Sequence, residues 1–266
     1  MRTILLAAIL VLLQPALFGQ IPFAHAHNDY EHKRPLLDAL EQGFVSFEAD
    51  IHLIDGELYV YHDHPEQPDP ARTLKKLYLD PLLERVRENG GWVYPGYDEP
   101  IQLLVDIKTE GESTYTELAG QLKKYRSMLY RSKGDRGIKG AVMVVLSGNR
   151  PMEMVRDSKK RLVALDGRPG DLGKGYSVAV MPLISDHYRN QLQWDGKGLP
   201  PSDQLRKLKD LAKAVHEEGK TLRLWASPEN EAVWAFLLRG GVDYLNTDLL
   251  KRFHQFATTT TQENDK

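Results

Sequence analysis

Two carboxylates and several histidines fall within one short stretch of the chain. Between His25 and His62, Glu48 and Asp50 lie two positions apart in a segment that alternates apolar and polar residues. In a β-strand this spacing puts both carboxylates on one face. Carboxylate oxygens bind hard divalent cations, and imidazoles exchange protons near neutral pH. The stretch therefore predicts a metal-assisted active site with histidine acid–base catalysis.

The strand that carries the two carboxylates is predicted to fold back as a β-hairpin. Residues 58–62 (LYVYH) are strand-like, and Gly56 can adopt the left-handed backbone conformation of a short turn. A three-residue turn would place His62 on the face of the carboxylates, whereas a two-residue turn at Asp55 and Gly56 would direct it away. We therefore expect a turn with an odd number of residues.

A third carboxylate and further polar residues lie at the ends of other predicted strands. Asp106 and Lys108 share one face of the segment LLVDIKT, and Asn28 follows His27 at the end of the first strand. Together, Glu48, Asp50 and Asp106 supply three hard oxygen ligands, which favour Mg²⁺ or Ca²⁺ over a thiophilic metal. Lys108 would then contact a phosphoryl oxygen or balance the acids, and Asn28 would add a neutral metal ligand or serve as a turn residue.

Strand-like runs alternate with helical stretches along the chain, and the ranges of eight strands can be predicted. They are residues 22–26, 45–51, 101–107, 141–146, 161–165, 178–183, 221–226 and 242–246. Eight strands with intervening helices in a chain of this length match a single (β/α)₈ TIM barrel, whose active site lies at the C-terminal ends of the strands. Residues 58–62 then form a β-hairpin excursion after strand 2, and the barrel domain spans residues 21–257.

The composition and the two terminal segments of the sequence limit the classes of binding partner and the localisation that we expect. Lys and Arg total 35 against 37 Asp and Glu, a net charge of -2, so we expect neither nucleic acid nor an anionic membrane as a partner. Residues 1–20 resemble a secretory signal peptide, which predicts an exported protein, periplasmic or secreted, with no integral membrane span in the mature chain. The absence of cysteine excludes thiolate chemistry. Residues 258–266 (TTTTQENDK) predict a disordered tail.

The motifs resemble those of the glycerophosphodiester phosphodiesterase-like and phosphatidylinositol phospholipase C-like TIM barrels. The resemblance covers nearly the whole mature chain. The matching motifs are His27-Asn28 for the His-Asn pair of the phospholipase C branch, Glu48-Ala49-Asp50 for the E-x-D motif, His62-Asp63 for the second catalytic histidine, and Asp106-Ile107-Lys108 for the third metal carboxylate with its lysine.

The resemblance implies a metal-dependent hydrolase that acts on a glycerophosphodiester or a phospholipid headgroup. His27 would activate the attacking oxygen and His62 would protonate the leaving alcohol. Lys108, Trp225 and His25 would contact the substrate. His25 and His27 have the same strand parity, so either can be the first catalytic histidine, and His27 is preferred because an asparagine follows it.

Two other functions remain open at this point. The spacing His25-Ala26-His27 also resembles the H-x-H motif of amidohydrolase-type zinc barrels, but that chemistry requires further histidines on the middle strands, and the predicted strands four to six end without any. A non-catalytic barrel that binds a phosphate or a lipid headgroup would use the same polar residues, and binding without turnover in the presence of metal would favour it.

Overall fold

Parallel strands close into a barrel in the computed structural model, which describes residues 19–264, with side chains as far as residue 260. In chain order the strands are β1 (Ile21–Ala26), β2 (Phe44–Ile54), β3 (Glu57–Val60), β4 (Ile101–Ile107), β5 (Arg131–Lys133), β6 (Arg136–Ile138), β7 (Val142–Gly148), β8 (Lys160–Arg161), β9 (Ala164–Gly167), β10 (Leu183–His187), β11 (Thr221–Trp225) and β12 (Tyr244–Thr247). Strand β3 pairs antiparallel with β2, and β5, β6 and β8 form a separate small sheet. The other eight strands form the barrel, which closes because β1 pairs with both β2 and β12. The predicted fold is confirmed.

Helices follow most of the barrel strands. They are α1 (Leu37–Glu41), α2 (Asp80–Glu88), α3 (Gly111–Leu122), α4 (Met152–Asp157), α5 (Tyr188–Gln191), α6 (Ser202–Glu217), α7 (Glu231–Arg239) and α8 (Leu250–Asn264). In α6 the buried residues Leu208, Ala212 and Val215 recur at helical spacing, which is why this segment packs one face against the barrel. Gly219, with φ of +70°, ends α6 in a left-handed conformation that glycine adopts without strain. None of the described helices is long and apolar enough to cross a membrane.

The inside of the barrel changes from apolar to polar along the strands. Leu104, Val145, Ala164 and Leu183 form a buried apolar cluster in the lower part. Because side chains alternate along a strand, Leu104 and Asp106 both point inward, and Asp106 lies closer to the C-terminal end of β4. The strand pattern thus directs polar side chains into the mouth of the barrel.

The sixth barrel strand differs from its predicted range. The apolar run at 178–183 reads as a strand, yet residues 178–180 form a turn in which the amides of Val180 and Met181 donate to the carbonyl of Ser177. Pro182 has no N–H to donate, and β10 begins only after it. Strand β10 runs from Leu183 to His187, further along the chain than predicted.

The C-terminal segment also differs from its prediction. Helix α8 continues to Asn264, where the sequence predicts a disordered tail from residue 258. The hydroxyls of Thr258, Thr259 and Thr260 donate to the carbonyls four residues earlier, so these side chains bond to the helix backbone. Most of the predicted signal peptide, residues 1–18, and residues 265–266 lie outside the described residues.

Candidate active site

Three carboxylates converge at the C-terminal mouth of the barrel. Asp50 on β2 pairs in register with Asp106 on β4, so both lie at one level, and Glu48 precedes Asp50 on the same face of β2. One oxygen from each carboxylate lies within 4.8 Å of the others. Like charges at this separation repel one another, and a divalent cation bound among them would relieve the repulsion. The structure therefore brings together the three predicted carboxylates.

The hydrogen bonds of Asp50 test whether this cluster suits a cation. Its Oδ2 accepts a hydrogen bond from the hydroxyl of Tyr30 (2.8 Å) and lies 2.8 Å from the Lys108 ammonium. Its Oδ1 is buried and has no partner among the described residues. Burial and the charge of Glu48 raise the pKa of Asp50 to about 6, against the opposing effect of Lys108. An orphaned carboxylate oxygen beside two other carboxylates is a donor set that fits a hard divalent cation.

Glu48 is fixed by a buried network. Its Oε2 lies 2.6 Å from the Arg223 guanidinium and 3.1 Å from Nε2 of His25. Burial favours protonation of Glu48, but Arg223 and His25 outweigh it and hold the pKa of this carboxyl well below its usual range. Glu48 is therefore ionised and fixed in place before any ligand binds.

His25 does not reach the cavity. Its side chain is fully buried, and Nδ1 lies 2.6 Å from the hydroxyl of Ser46 on β2. Burial and the Arg223 charge lower the pKa of His25 to about 3, so the ring is neutral. The predicted contact between His25 and the substrate is therefore absent, because the register of β1 sets His25 level with Ser46, two residues before Glu48 and below the cavity. Of the two alternatives, only His27 faces the mouth.

His27 lies just beyond β1 and is partly exposed. Its Nδ1 is 2.9 Å from Oδ1 of Asp248, in the loop after β12. Burial lowers the pKa of His27, but the hydrogen bond to Asp248 and the charge of Glu48 outweigh it and raise the pKa above 6.5. With Nδ1 donating to Asp248, Nε2 is the nitrogen that can accept a proton.

The turn of the hairpin is shorter than expected. Ile54 pairs with Glu57, so the turn contains two residues, Asp55 and Gly56, with φ of 50° and 80°. The prediction of an odd-numbered turn is wrong. Asp-Gly is a preferred sequence for two-residue hairpins in which both turn residues have positive φ.

His62 nevertheless lines the cavity of the carboxylates. Regular pairing between β2 and β3 ends at Val60, and the last backbone-to-backbone bond between the two segments runs from the amide of Tyr61 to the carbonyl of Asp50 (3.1 Å). Beyond that point strand alternation no longer controls the side-chain direction. The His62 side chain is 60% exposed, and Asp63 Oδ1 lies 3.4 Å from its Nδ1.

The remaining predicted residues also lie at this cavity. Lys108 bridges Asp50 (2.8 Å) and Asp106 (3.2 Å). Asn28 adopts a left-handed conformation (φ 45°), and its Oδ1 lies 2.9 Å from the same Tyr30 hydroxyl that faces Asp50. The cavity has a volume of about 230 Å³ and is lined by His27, Asn28, Glu48, Asp50, His62, Asp106, Lys108, Ser147, Gly148, Arg168, Arg223 and Trp225.

Two cationic residues that line the cavity, Arg223 and Arg168, were not predicted, because only the last residues of the strands were considered. Arg223 shares the inward parity of Trp225 on β11, and a charged residue in the apolar run LRLW was the signal for it. Arg168 follows β9, and its Nη1 donates to Asp166 Oδ2 (2.8 Å) and to the hydroxyl of Ser185 (3.0 Å). The sequence offered no comparable signal for Arg168.

The end of β10 at His187 is relevant to the alternative of an amidohydrolase-type zinc barrel. A histidine, His187, does end the sixth strand, contrary to the expectation. Its ring packs edge-on against Trp225 with centroids 4.5 Å apart, and its Nδ1 accepts from the amide of Arg189, which caps α5. His187 does not line the cavity of the carboxylates, so the H-x-H chemistry gains no ligand from it.

The acids and histidines of this site thus lie at the mouth of an eight-stranded TIM barrel. Residues 20–166, more than half of the chain, match the AIM6-like phosphodiesterase domain, and the chain belongs to that family. The resemblance found in the motifs is thereby confirmed.

Relatives and a solved structure agree with this placement. Altered inheritance of mitochondria protein 6 homolog from Arthroderma benhamiae is 27% identical over 261 residues, which cover 86% of this chain and 82% of the relative. Altered inheritance of mitochondria protein 6 from Eremothecium gossypii is 29% identical over 267 residues, with 87% and 68% covered. The crystal structure of a glycerophosphodiester phosphodiesterase from Parabacteroides distasonis matches with a TM-score of 0.56 at 18% identity, covering 91% of this chain and 100% of that chain, and so shares the fold.

Proposed function

We propose that this protein is a metal-dependent phosphodiester hydrolase acting on a glycerophosphodiester or a phospholipid headgroup. The observation that carries the proposal is the presence of three carboxylates and two histidines, His27 and His62, in one cavity at the barrel mouth. Its volume of about 230 Å³ is below the usual range for drug-sized ligands and suits a phosphate with a small headgroup.

Glu48, Asp50 and Asp106 would hold the cation, with Asn28 near enough to Asp50 to add a neutral oxygen. Oxygen donors favour Mg²⁺ or Ca²⁺. A bound divalent ion supplies positive charge that neutralises the phosphate. Lys108, between Asp50 and Asp106, contributes a second cation whose ammonium is within reach of a phosphoryl oxygen.

His27 acts as the base. Asp248 holds its Nδ1 proton, so Nε2 is free to take a proton from the attacking oxygen, which is either water or a hydroxyl of the substrate. His62 acts as the acid and donates a proton to the leaving alcohol. Trp225, half-buried at the cavity wall, contacts the headgroup.

A screen of phosphodiester substrates with Mg²⁺, Ca²⁺ or chelator tests the proposal, with both products identified. His62→Ala should lower the rate by about 10² to 10⁴-fold because it removes the proton donor. His64→Ala is the matched control, since His64 is exposed two residues away and does not line the cavity. Metal-dependent binding without turnover would contradict hydrolysis and support a binding protein.

We also propose that the protein is exported, on the basis of the apolar N-terminal run alone. Expression of the full chain with fractionation and N-terminal sequencing tests this. Recovery of the protein inside the cell with its first residues intact would contradict it.

A further inference from the structure

A second cavity lies at the opposite end of the barrel from the active site. It has a volume of about 400 Å³ and lies between the end of α3 and the sheet formed by β5, β6 and β8. These short strands precede the barrel strands β7 and β9 in the chain, and residues 128–130 pair with the first residue of β7. They therefore lie where the barrel strands begin. We call this cavity the basal cleft.

The lining of the basal cleft is strongly cationic. Six basic side chains line it and no acidic side chain does; the six are Lys123, Arg126, Arg131, Lys133, Lys160 and Arg161. The ion pairs found among residues 19–260 all involve other basic residues. In a chain with a net charge of -2, this concentration gathers six like charges around one cleft, and none of the ion pairs among residues 19–260 includes them. A bound anion would relieve their repulsion.

Arg161 is a buried, fixed cation at the wall of this cleft. It is only 3% exposed, and its Nη1 donates to the carbonyl of Ser158 at 2.6 Å, while Nη2 donates to the carbonyl of Gly134. These bonds hold the guanidinium at the end of α4 and at the β5–β6 turn. Its Nε is buried and has no hydrogen-bond partner within the described part of the chain. Arg161 therefore adds a fixed positive charge beside the cleft.

We propose that the basal cleft binds an anion that carries two or more phosphate groups. One phosphate monoester brings a charge of about -1.5 to -2, which falls well short of six cations. Guanidinium groups match phosphate oxygens in paired hydrogen bonds, and three of the six residues are arginines. The cleft is separate from the catalytic cavity, so binding there does not depend on turnover. A free phosphorylated molecule and a polyphosphorylated lipid headgroup share this chemistry.

Calorimetric titration with pyrophosphate, in low salt and with a chelator present, tests the site in the full chain. The chelator prevents a cation from recruiting pyrophosphate to the carboxylates of the active site. Arg131→Gln/Lys133→Gln should weaken pyrophosphate binding by about tenfold or more, since two of the six basic residues that line the cleft lose their charge. The double variant Lys123→Gln/Lys160→Gln changes residues just after α3 and on β8, and it should weaken pyrophosphate binding by a similar factor. Arg206→Gln/Lys207→Gln on α6, both exposed, is the charge-matched control and should bind as the parent does.

Vesicles distinguish the two sources of phosphate. With a lipid headgroup as the ligand, the protein should sediment with phosphatidylcholine vesicles that contain phosphatidylinositol bisphosphate, but not with pure phosphatidylcholine vesicles. If both cleft variants lose this sedimentation, the result would support the site and assign it to a lipid headgroup. Binding of pyrophosphate alone would support a free ligand. The proposal is overturned when the parent protein binds neither probe, or when folded cleft variants bind as tightly as the parent, with folding checked by thermal denaturation.

Discussion

Single residues at the mouth of the barrel divide into those that face the cavity and those that hold them. Parity along the strands predicted that Asp50 and Asp106 would meet, because the period of two is a property of the strand itself. The burial of His25 could not be predicted, since it depends on the register of β1 with β2, which sets His25 level with Ser46 and below the mouth. Arg223 was missed because only the last residue of β11 was considered, although Arg223 and Trp225 share one face.

Removing Arg223 should destabilise the fold. Its guanidinium donates to Glu48 at 2.6 Å and to Asn246 at 2.7 Å in a buried setting. Arg223→Ala leaves an uncompensated buried carboxylate, so we expect a loss of about 3 kcal/mol or more in the free energy of unfolding. Urea denaturation measures it, with exposed Arg206→Ala as the control. A loss below about 1 kcal/mol would show that the ion pair is dispensable.

Asp248 should act through His27. Because Asp248 raises the pKa of His27, a higher pH is needed to reach the neutral form that acts as a base. Asp248→Asn should move the acidic limb of the pH profile of kcat/KM to lower pH and reduce kcat at its plateau by about tenfold or more. Asp243→Asn disrupts an equally close pair with His216 (2.8 Å) at the other end of the barrel and should leave the profile unchanged. An unshifted limb in Asp248→Asn would contradict the role.

The buried carboxyl of Asp29 should make stability depend on pH. Tyr78 and the amide of Leu36 donate to its Oδ2, its Oδ1 has no partner among the described residues, and burial raises its pKa from 3.8 to about 7. Between these values the unfolded chain releases the proton while the folded protein keeps it. Stability therefore falls as pH rises, by up to about 1.4 kcal/mol per pH unit, and the loss is complete above pH 7.

Asp29→Asn removes this titration. The free energy of unfolding of the variant minus that of the parent should rise by roughly 2 kcal/mol from about pH 5 to about pH 8, as measured by urea denaturation. A difference that stays constant over this range would show that Asp29 is ionised in the folded protein.

At the scale of elements, the order and type of the barrel strands followed from hydrophobic alternation, whereas turns and strand ends did not. The apolar run at 178–183 looks like a strand, and only the turn before Pro182 shows otherwise. An odd-numbered hairpin turn was predicted because only such a turn would direct His62 to the face of the carboxylates. Asp55 and Gly56 follow turn chemistry instead, and His62 reaches the cavity because pairing stops at Val60.

Gly56 should be required for the two-residue turn. Its φ of 80° is accessible to glycine but strained for other residues, although a Cβ there would meet nothing within 4 Å. Gly56→Ala should therefore lower the free energy of unfolding by about 1 kcal/mol through backbone strain alone. Gly120→Ala, in α3 with equally open space, should raise it by about 0.5–1 kcal/mol. Equal effects of the two substitutions in denaturation experiments would rule out strain at the turn.

At the scale of the whole molecule, barrel closure was predictable because eight alternating strands of this spacing have few other ways to bury their apolar faces. The distribution of charge was not predictable. The net charge of -2 is an average, and the small sheet beside α3 gathers residues 123, 126, 131, 133, 160 and 161 from separate parts of the chain into the basal cleft. Composition alone could not reveal such a cleft, because it requires the tertiary fold.

The proposed catalysis depends on one cation being held by the carboxylates of β2 and β4. Crystals grown with Mn²⁺, which gives an anomalous signal and accepts the oxygen ligands used by Mg²⁺, locate that ion directly. We expect a peak about 2.0–2.6 Å from oxygens of Glu48, Asp50 and Asp106, and no peak at this position in Asp106→Ala. Fully occupied Mn²⁺ elsewhere in the protein, with these three carboxylates lacking a bound ion, would contradict the account.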